Sequence, residues 1–158
     1  MNRIKKLLIV SIIFLFTFSS NVYSEMVNSI NIEGNERLSD ETIIVYGDIN
    51  KGKNYESDDV NLIIKKLFAT NFFSDIKVEI NNGILSITVR ENPIINLIIF
   101  EGVKADKFKT GITNLLQLRE KTPFVKNGVK KDIDQIKGFY WQLGYYFVKI
   151  DTEIQKLD

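Results

Sequence analysis

Residues Asp75–Arg90 read Asp-Ile-Lys-Val-Glu-Ile-Asn-Asn-Gly-Ile-Leu-Ser-Ile-Thr-Val-Arg and contain the clearest structural pattern in the chain. On both sides of Asn82-Gly83, apolar residues alternate with polar ones, which is the period of a half-buried β-strand. Asn-Gly favours a type I′ turn, the turn that best joins two antiparallel strands. The stretch therefore predicts a β-hairpin.

A strand and two helices precede this hairpin. Ile30 and Ile32 alternate with polar neighbours and predict the strand. Ser39, followed by two acids, is a helix N-cap, and Gly47 ends this short helix. Ser57, also followed by two acids, begins the second helix in the same way. One apolar stripe runs along that second helix and contains Val60, Ile63, Ile64, Leu67 and Phe68.

The same pattern occurs twice along the chain. Ile30–Gly34 matches Ile98–Gly102, which lies 68 residues further on. Phe73–Val78 matches Tyr145–Ile150, which lies 72 residues further on. Two matches in the same order indicate a duplicated module of about 70 residues.

A short boundary separates the two copies at Asn92-Pro93. Pro93 lacks an amide hydrogen and favours an extended conformation at Asn92. We therefore expect a first module over residues 25–92 and a second over residues 93–158. Because the linker is so short, the modules should hold a limited range of angles.

The second module repeats the patterns of the first with one exception. Ile98 and Phe100 predict its first strand, and the alternation from Val148 to Ile154 predicts its second. No counterpart of Leu85–Val89 occurs within the 158 residues. We therefore predict that the second module is truncated and folds poorly, and that the first module folds alone. Apolar stripes predict two helices in the second module, the first with Phe108, Ile112, Leu115 and Leu116 and the other with Val129, Ile133, Ile136, Tyr140 and Leu143.

The N-terminus predicts export. Asn2–Lys6 carries three basic residues and no acid, Leu7–Phe18 is a short apolar run, and a polar stretch then ends in Val22-Tyr23-Ser24. This is the layout of a secretory signal peptide over residues 1–24, and the run is too short for a bilayer core of about 30 Å. An uncleaved N-terminal anchor is the alternative. Removal of the leader changes the net charge from +1 to −2, which provides no electrostatic attraction for nucleic acid.

The residue types of most catalytic and metal sites are absent. The chain contains no Cys and no His, which excludes Ser-His and Cys-His nucleophile pairs and nearly all zinc sites. Asp58 and Asp59 point about 100° apart on a helix, so capping explains them better than acid–base catalysis. The aromatic residues of 139–147 have helical spacing and no basic groove, which favours core packing over stacking on bases. We predict a protein that is not an enzyme and that needs no cofactor and no metal.

A family resemblance is carried by Leu67–Val78, Val89–Pro93 and Ile99–Gly102. These stretches resemble the N-terminal POTRA (polypeptide-transport-associated) modules of BamA-type outer-membrane assembly factors. The resemblance implies an α+β fold of tandem β-α-α-β-β modules, each with a three-stranded mixed sheet and two helices packed on one face. It also implies a periplasmic location, with unfolded outer-membrane proteins and accessory subunits of an assembly complex as partners. Family members carry further modules and a membrane barrel, so we expect the full-length parent to be attached to an outer-membrane barrel.

The predicted sheet suggests how such a partner binds. If the third strand also pairs with the first, the second strand lies at an edge, where an extended peptide can add through main-chain bonds. Lys77 and Glu79 should point away from the helices and prevent this edge from pairing with copies of itself. Proline at whichever of the two has an outward N–H should weaken binding. The candidate binding residues are Ile76, Lys77, Val78, Glu79 and Ile80.

A second candidate surface lies at the start of the second module. Ile95, Leu97 and Ile99 lie on the strand face opposite Ile98, where the first module has polar residues. The predicted strand is therefore apolar on both faces. Contact with a neighbouring module and contact with a partner both explain this pattern.

Two other functions stay open at the level of sequence. The same module type serves in two-partner secretion transporters and in cell-division proteins. A division protein would keep its N-terminal anchor, and a transporter usually has a proline-rich segment, whereas this chain has only Pro93 and Pro123. A small exported enzyme is disfavoured by the absence of His and Cys.

Overall fold

The computed structural model describes residues 24–157 of the chain, so the predicted leader up to Tyr23 lies outside the described residues. Among these residues no helix has the length and apolarity needed to cross a membrane. The α+β class is confirmed. In chain order the elements are β1 (Glu25–Met26), β2 (Ser29–Glu33), α1 (Asp40–Gly47), β3 (Asn54–Tyr55), α2 (Ser57–Ala69), β4 (Phe73–Asn81), β5 (Ile84–Glu91), α3 (Asp106–Leu115) and α4 (Lys126–Gln142).

The predicted hairpin is confirmed as β4 and β5. Asn82 and Gly83 form its turn with φ angles of 54° and 76°, the two positive values that a type I′ turn requires. The strands of this sheet have the order β2-β5-β4, with β5 parallel to β2 and antiparallel to β4. The sheet is therefore mixed, and β4 lies at an edge as the sequence predicts.

The core of the first module lies between this sheet and the two helices. Ile43, Leu67 and Leu85 are fully buried there. The prediction that Phe68 belongs to the buried stripe of α2 is wrong, because 42% of that residue is exposed. Ile63 and Leu67 face the sheet, and Phe68 lies one residue, about 100°, further round the helix.

The two helix starts differ from each other. Ser39 caps α1 as predicted, and its Oγ accepts a hydrogen bond from the Thr42 N–H at 3.3 Å. The prediction for Ser57 is wrong by one residue, because Glu56 is the N-cap of α2. Asp59 Oδ2 accepts the Glu56 N–H at 3.0 Å, which confirms that Asp59 has a capping role.

A short two-stranded sheet, β1 with β3, was not predicted. It leads to Val27, which is fully buried. The Val27 N–H donates to the Lys53 carbonyl at 3.0 Å, and the Gly52 N–H donates to the Val27 carbonyl at 2.7 Å. The segment that follows the predicted leader therefore closes one end of the first module's core.

The helices of the second module are confirmed as α3 and α4, but the prediction of two strands in this module is wrong. Residues 95–101 and 147–157 form no strand in the structure, and only a single bridge joins Ile94 to Pro123. The first module shows the physical reason, because its third strand lies between the other two. Within residues 24–157, no strand corresponding to β5 lies between the two outer segments of the second module.

Aromatic packing joins α3 to α4. The Phe108 ring lies 6.0–6.3 Å from the rings of Phe139, Tyr140 and Tyr145. Leu143 was expected to be buried, but it is 45% exposed. The rings of Trp141 and Tyr146 contact each other edge to face, with their centroids 4.9 Å apart. These two residues are 62% and 58% exposed.

Candidate interaction surface

The outer edge of β4 is the candidate surface of the first module. Within residues 24–157, β4 pairs with β5 alone, so its other side faces solvent. The register runs from Ile76 opposite Val89 to Asn81 opposite Ile84, and the only irregularity lies between Phe73 and Asp75. The regular part of the edge therefore includes the five residues, 76–80, that the sequence singled out.

The register also determines which main-chain groups of β4 are free. Asn81 and Ile84 flank the two-residue turn, so they exchange both hydrogen bonds, and bonded and non-bonded pairs alternate from there. The far end of the ladder agrees with this assignment. The Asn92 N–H donates to the Phe72 carbonyl at 2.7 Å, as it should if Phe73 and Glu91 form a non-bonded pair.

Three residues in the regular part of β4, after the irregularity, therefore direct their N–H and C=O groups outward. They are Ile76, Val78 and Ile80, whose side chains pack toward the helices. Lys77 and Glu79 bond to β5 instead. The proline expectation is therefore wrong for both of these positions, because proline there would remove a bond within the sheet.

The side chains of Lys77 and Glu79 lie on the face away from the helices, as predicted. They are 67% and 51% exposed, and Lys77 Nζ lies 2.9 Å from Glu79 Oε2. Charges at this position disfavour pairing between two copies of the edge. They leave the outward main-chain groups accessible, because those groups belong to the alternate residues.

Among the described residues, strand β2 is paired on one side only and forms a second free edge. The Ser29 N–H donates to the Gly83 carbonyl at 3.2 Å, and the parallel register places Ile30 opposite Leu85. Alternation then leaves only Ile30 and Ile32 with outward groups. The order of strands alone would have revealed this edge, which is shorter than that of β4.

Helix α2 packs over β4 and presents two different flanks. On one flank, Lys66 Nζ lies 2.7 Å from Asp48 Oδ2, at the end of α1. That contact lowers the pKa of Asp48 below its ordinary value, through a hydrogen bond and the charge of Lys66. Ile64 and Phe68 lie on the opposite flank, and Phe68 leaves apolar surface exposed there.

The second candidate surface does not have the predicted form, because residues 95–101 form no strand. Ile95 is half-buried, and its N–H donates to the Thr122 carbonyl at 2.9 Å. Leu97 and Ile99 are 62% and 70% exposed. These three residues lie on a segment separate from β4, and their role in binding a partner stays a prediction.

Little in the described residues suggests another kind of site. Residues 24–157 contain no group of three or more Asp or Glu side chains arranged to hold a metal ion. A shallow concavity of about 290 Å³ is lined by Glu41, Thr42, Val45 and Tyr46, and it opens to solvent.

Comparison with known proteins relates both halves of the chain to one family. The model of the POTRA family, described as a surface antigen variable number repeat, matches residues 25–92 and again residues 93–158. The outer membrane protein assembly factor BamA of Neorickettsia risticii is 27% identical over 128 residues, which are 81% of this chain. The BamA of Neisseria meningitidis serogroup B is 28% identical over 134 residues, which are 83% of this chain. In both cases the chain spans 17% of the relative's length.

Solved structures show the same fold. The N-terminal domain of Omp85 from Thermosynechococcus elongatus matches with a TM-score of 0.55 at 15% identity. That match covers 78% of this chain and 54% of the other. The first two POTRA modules of Omp85 from Anabaena match with a TM-score of 0.52 at 14% identity, over 85% of this chain and 90% of the other.

Proposed function

Because this chain belongs to the POTRA family, we propose that it is a periplasmic scaffold and receptor module of an outer-membrane β-barrel assembly machinery. Its partners are unfolded outer-membrane proteins and accessory subunits, and its leader directs it to the periplasm. The relatives named as outer membrane protein assembly factors support this proposal. This chain spans 17% of their length.

Binding occurs by β-strand addition at the edge of β4. The observation that carries this proposal is the run of alternate residues Ile76, Val78 and Ile80 with outward N–H and C=O groups. Each donates and accepts one main-chain bond, and successive outward residues lie about 7 Å apart, as in any strand. Main-chain bonds place little demand on the sequence of the partner. This tolerance suits a receptor for many different barrel strands.

The exposed flank of α2 adds an apolar contact to this edge. A barrel strand alternates apolar and polar side chains, so a strand on β4 directs one set toward the helix side of the sheet. We expect that set to contact Ile64 and Phe68. Lys77 and Glu79 lie on the other face, next to the partner's polar side chains.

The experiment uses barrel-strand peptides in which alternate residues are N-methylated. An added strand bonds to β4 through one edge only, so its odd and its even residues play different roles. Two complementary peptides are titrated into the full chain, one methylated at odd and one at even positions. We expect one of them to bind like the unmodified peptide and the other to lose binding.

The matched controls are Lys77→Ala and Glu79→Ala, which remove exposed side chains and leave the main-chain ladder intact. Both should leave affinity nearly unchanged. Equal binding by the two methylated peptides would show that no main-chain ladder forms. A large loss of affinity in either alanine variant would show that the charges, rather than the edge, hold the peptide.

A further inference from the structure

Asn92, the last residue of the first module, is held by that module through three of its polar groups. Its N–H donates to the Phe72 carbonyl at 2.7 Å, and its side-chain Nδ2 donates to the Asn71 carbonyl at 2.9 Å. Its own carbonyl accepts a hydrogen bond from Arg37 Nη2. The residue itself is only 9% exposed, and the bonds made by its side chain and its carbonyl are partly buried.

The next residue, Pro93, is held by the second module. Its carbonyl accepts the Phe124 N–H at 2.7 Å. The following segment continues this contact, because Ile95 exchanges hydrogen bonds with Thr122 and Lys121 at 2.9 and 2.7 Å. The change from one module to the other therefore occurs across the peptide bond between Asn92 and Pro93.

Few torsions are left to move the modules relative to each other. The peptide bond is planar, and the proline ring fixes φ of Pro93 near −65°. The bonds to the Asn92 N–H and side chain fix its φ. Only ψ of Asn92 and ψ of Pro93 can turn, and the proline already confines ψ of Asn92 to extended values.

Arg37 controls the first of these two torsions. Rotation about ψ of Asn92 turns the Asn92 carbonyl, which Arg37 Nη2 holds in place. Arg37 is fixed in turn, because its Nε lies 2.8 Å from Glu91 Oε2 and the Glu91 side chain is only 5% exposed. The Arg37 and Leu38 N–H groups donate to the other oxygen of Glu91 at 3.0 Å. A single guanidinium thus joins the buried carboxylate to the carbonyl at the hinge.

We propose that Arg37 and Glu91 form a latch that sets the angle between the two modules by fixing ψ of Asn92. Arg37 belongs to the loop between β2 and α1, which is far from the hinge in sequence and beside it in space, whereas Glu91 ends β5 and directly precedes Asn92. A partner that draws Arg37 away would let the second module turn without unfolding either module. Arg37 is therefore a positioning residue for whatever binds across both modules.

The test is the conservative variant Arg37→Lys. A lysine ammonium can still pair with Glu91, but it lacks the second nitrogen that reaches the Asn92 carbonyl at the same time. The chain contains no native Cys, so Lys65→Cys in α2 and Lys137→Cys in α4 provide two exposed positions for spin labels. The full chain is then measured by double electron–electron resonance, and Arg37→Lys should broaden the distance distribution.

Three further variants make the result decisive. Arg90→Lys changes an arginine whose nearest carboxylate, that of Asp75, lies 3.8 Å away on the surface, so it should not broaden the distribution. Leu67→Ala lowers stability without touching the hinge, and it should not broaden the distribution either. Pro93→Ala frees φ at the hinge and should broaden it. The latch is refuted if Arg37→Lys matches the wild type while Pro93→Ala broadens, and the hinge itself is refuted if Pro93→Ala has no effect.

Discussion

Glu91→Gln is the substitution that tests the energetics of the module boundary most sharply. Glu91 Oε1 accepts N–H groups from Glu36, Arg37 and Leu38 at 2.9–3.0 Å, and Oε2 accepts from Arg37 Nε at 2.8 Å. Glutamine keeps one acceptor oxygen for the three main-chain N–H groups; a hydrogen bond to a charged group contributes about 1.5–3 kcal/mol and a neutral one about 0.5–1.5, so neutralisation costs about 1 kcal/mol for each of these bonds. The amide NH2 group of glutamine only donates, so it cannot accept from Arg37 Nε and that contact is lost. Arg37 is half exposed, so its contact with Glu91 contributes less to the free energy of unfolding than a buried contact would. We expect a loss of about 2–4 kcal/mol at neutral pH.

The same carboxylate predicts a pH dependence. Burial raises the pKa of Glu91, but the N–H groups of Leu38, Arg37 and Glu36 and the Arg37 guanidinium outweigh burial, so the net pKa lies below its ordinary value of 4.5. A lowered pKa in the folded state stabilises the fold above the unfolded pKa, and this contribution is lost as the pH falls through the folded pKa. The difference between wild type and Glu91→Gln should therefore shrink on acidification.

The assay is urea denaturation of both proteins at neutral pH and at several values below pH 4.5. Glu79→Gln is the control, because that carboxylate is 51% exposed and pairs only with Lys77 at the surface. It should change the unfolding free energy little at any pH. An equal loss for Glu91→Gln at neutral and acidic pH would contradict the reasoning, and so would no loss at neutral pH.

Three further predictions concern packing, autonomy and export. Leu67→Ala should lower the unfolding free energy by about 2–5 kcal/mol, because the side chain is fully buried, whereas Phe68→Ala should lower it much less. Equal losses in urea titrations would contradict the assignment of Leu67 to the buried side of α2 and of Phe68 to its exposed flank. Residues 25–92 alone should give well-dispersed amide signals, and in the full chain their amides should be better protected from exchange than those of 93–158; equal protection would contradict this. N-terminal sequencing of exported protein should find Glu25, and an intact Met1 on membrane-bound material would favour the anchored alternative.

The first module could be predicted well because its signals are local. Asn82-Gly83 with alternation on both sides determines the hairpin, and the spacing of Ile63 and Leu67 determines the buried side of α2. The predicted start of α2 differs from the observed one by a single residue, because Glu56 and Ser57 are neighbours that can both act as the N-cap. The predicted apolar stripe of α2 is too wide at Phe68, because the spacing of apolar residues does not reveal how far the sheet extends beneath a helix.

The second module shows where sequence patterns fail. Alternation around Ile98 and from Val148 to Ile154 describes how a segment would present its side chains, but a strand also needs a neighbour. Strands β1 and β3 were not predicted, because each has only two residues, which are too few to show the alternation of a strand. The latch at Glu91 was not predicted either, because Arg37 and Glu91 lie 54 residues apart and only the fold brings them together.

In the proposed mode of binding, partners add to the edge of β4 through its outward main-chain groups. Amide hydrogen exchange of the full chain, with and without a barrel-strand peptide, tests it residue by residue. The Lys77 and Glu79 amides bond to β5 and should be protected in both states. The amides of Ile76, Val78 and Ile80 should exchange more readily without peptide and become protected when it binds. Binding that leaves these three amides unprotected would contradict the claim, above all if protection appears only on α2.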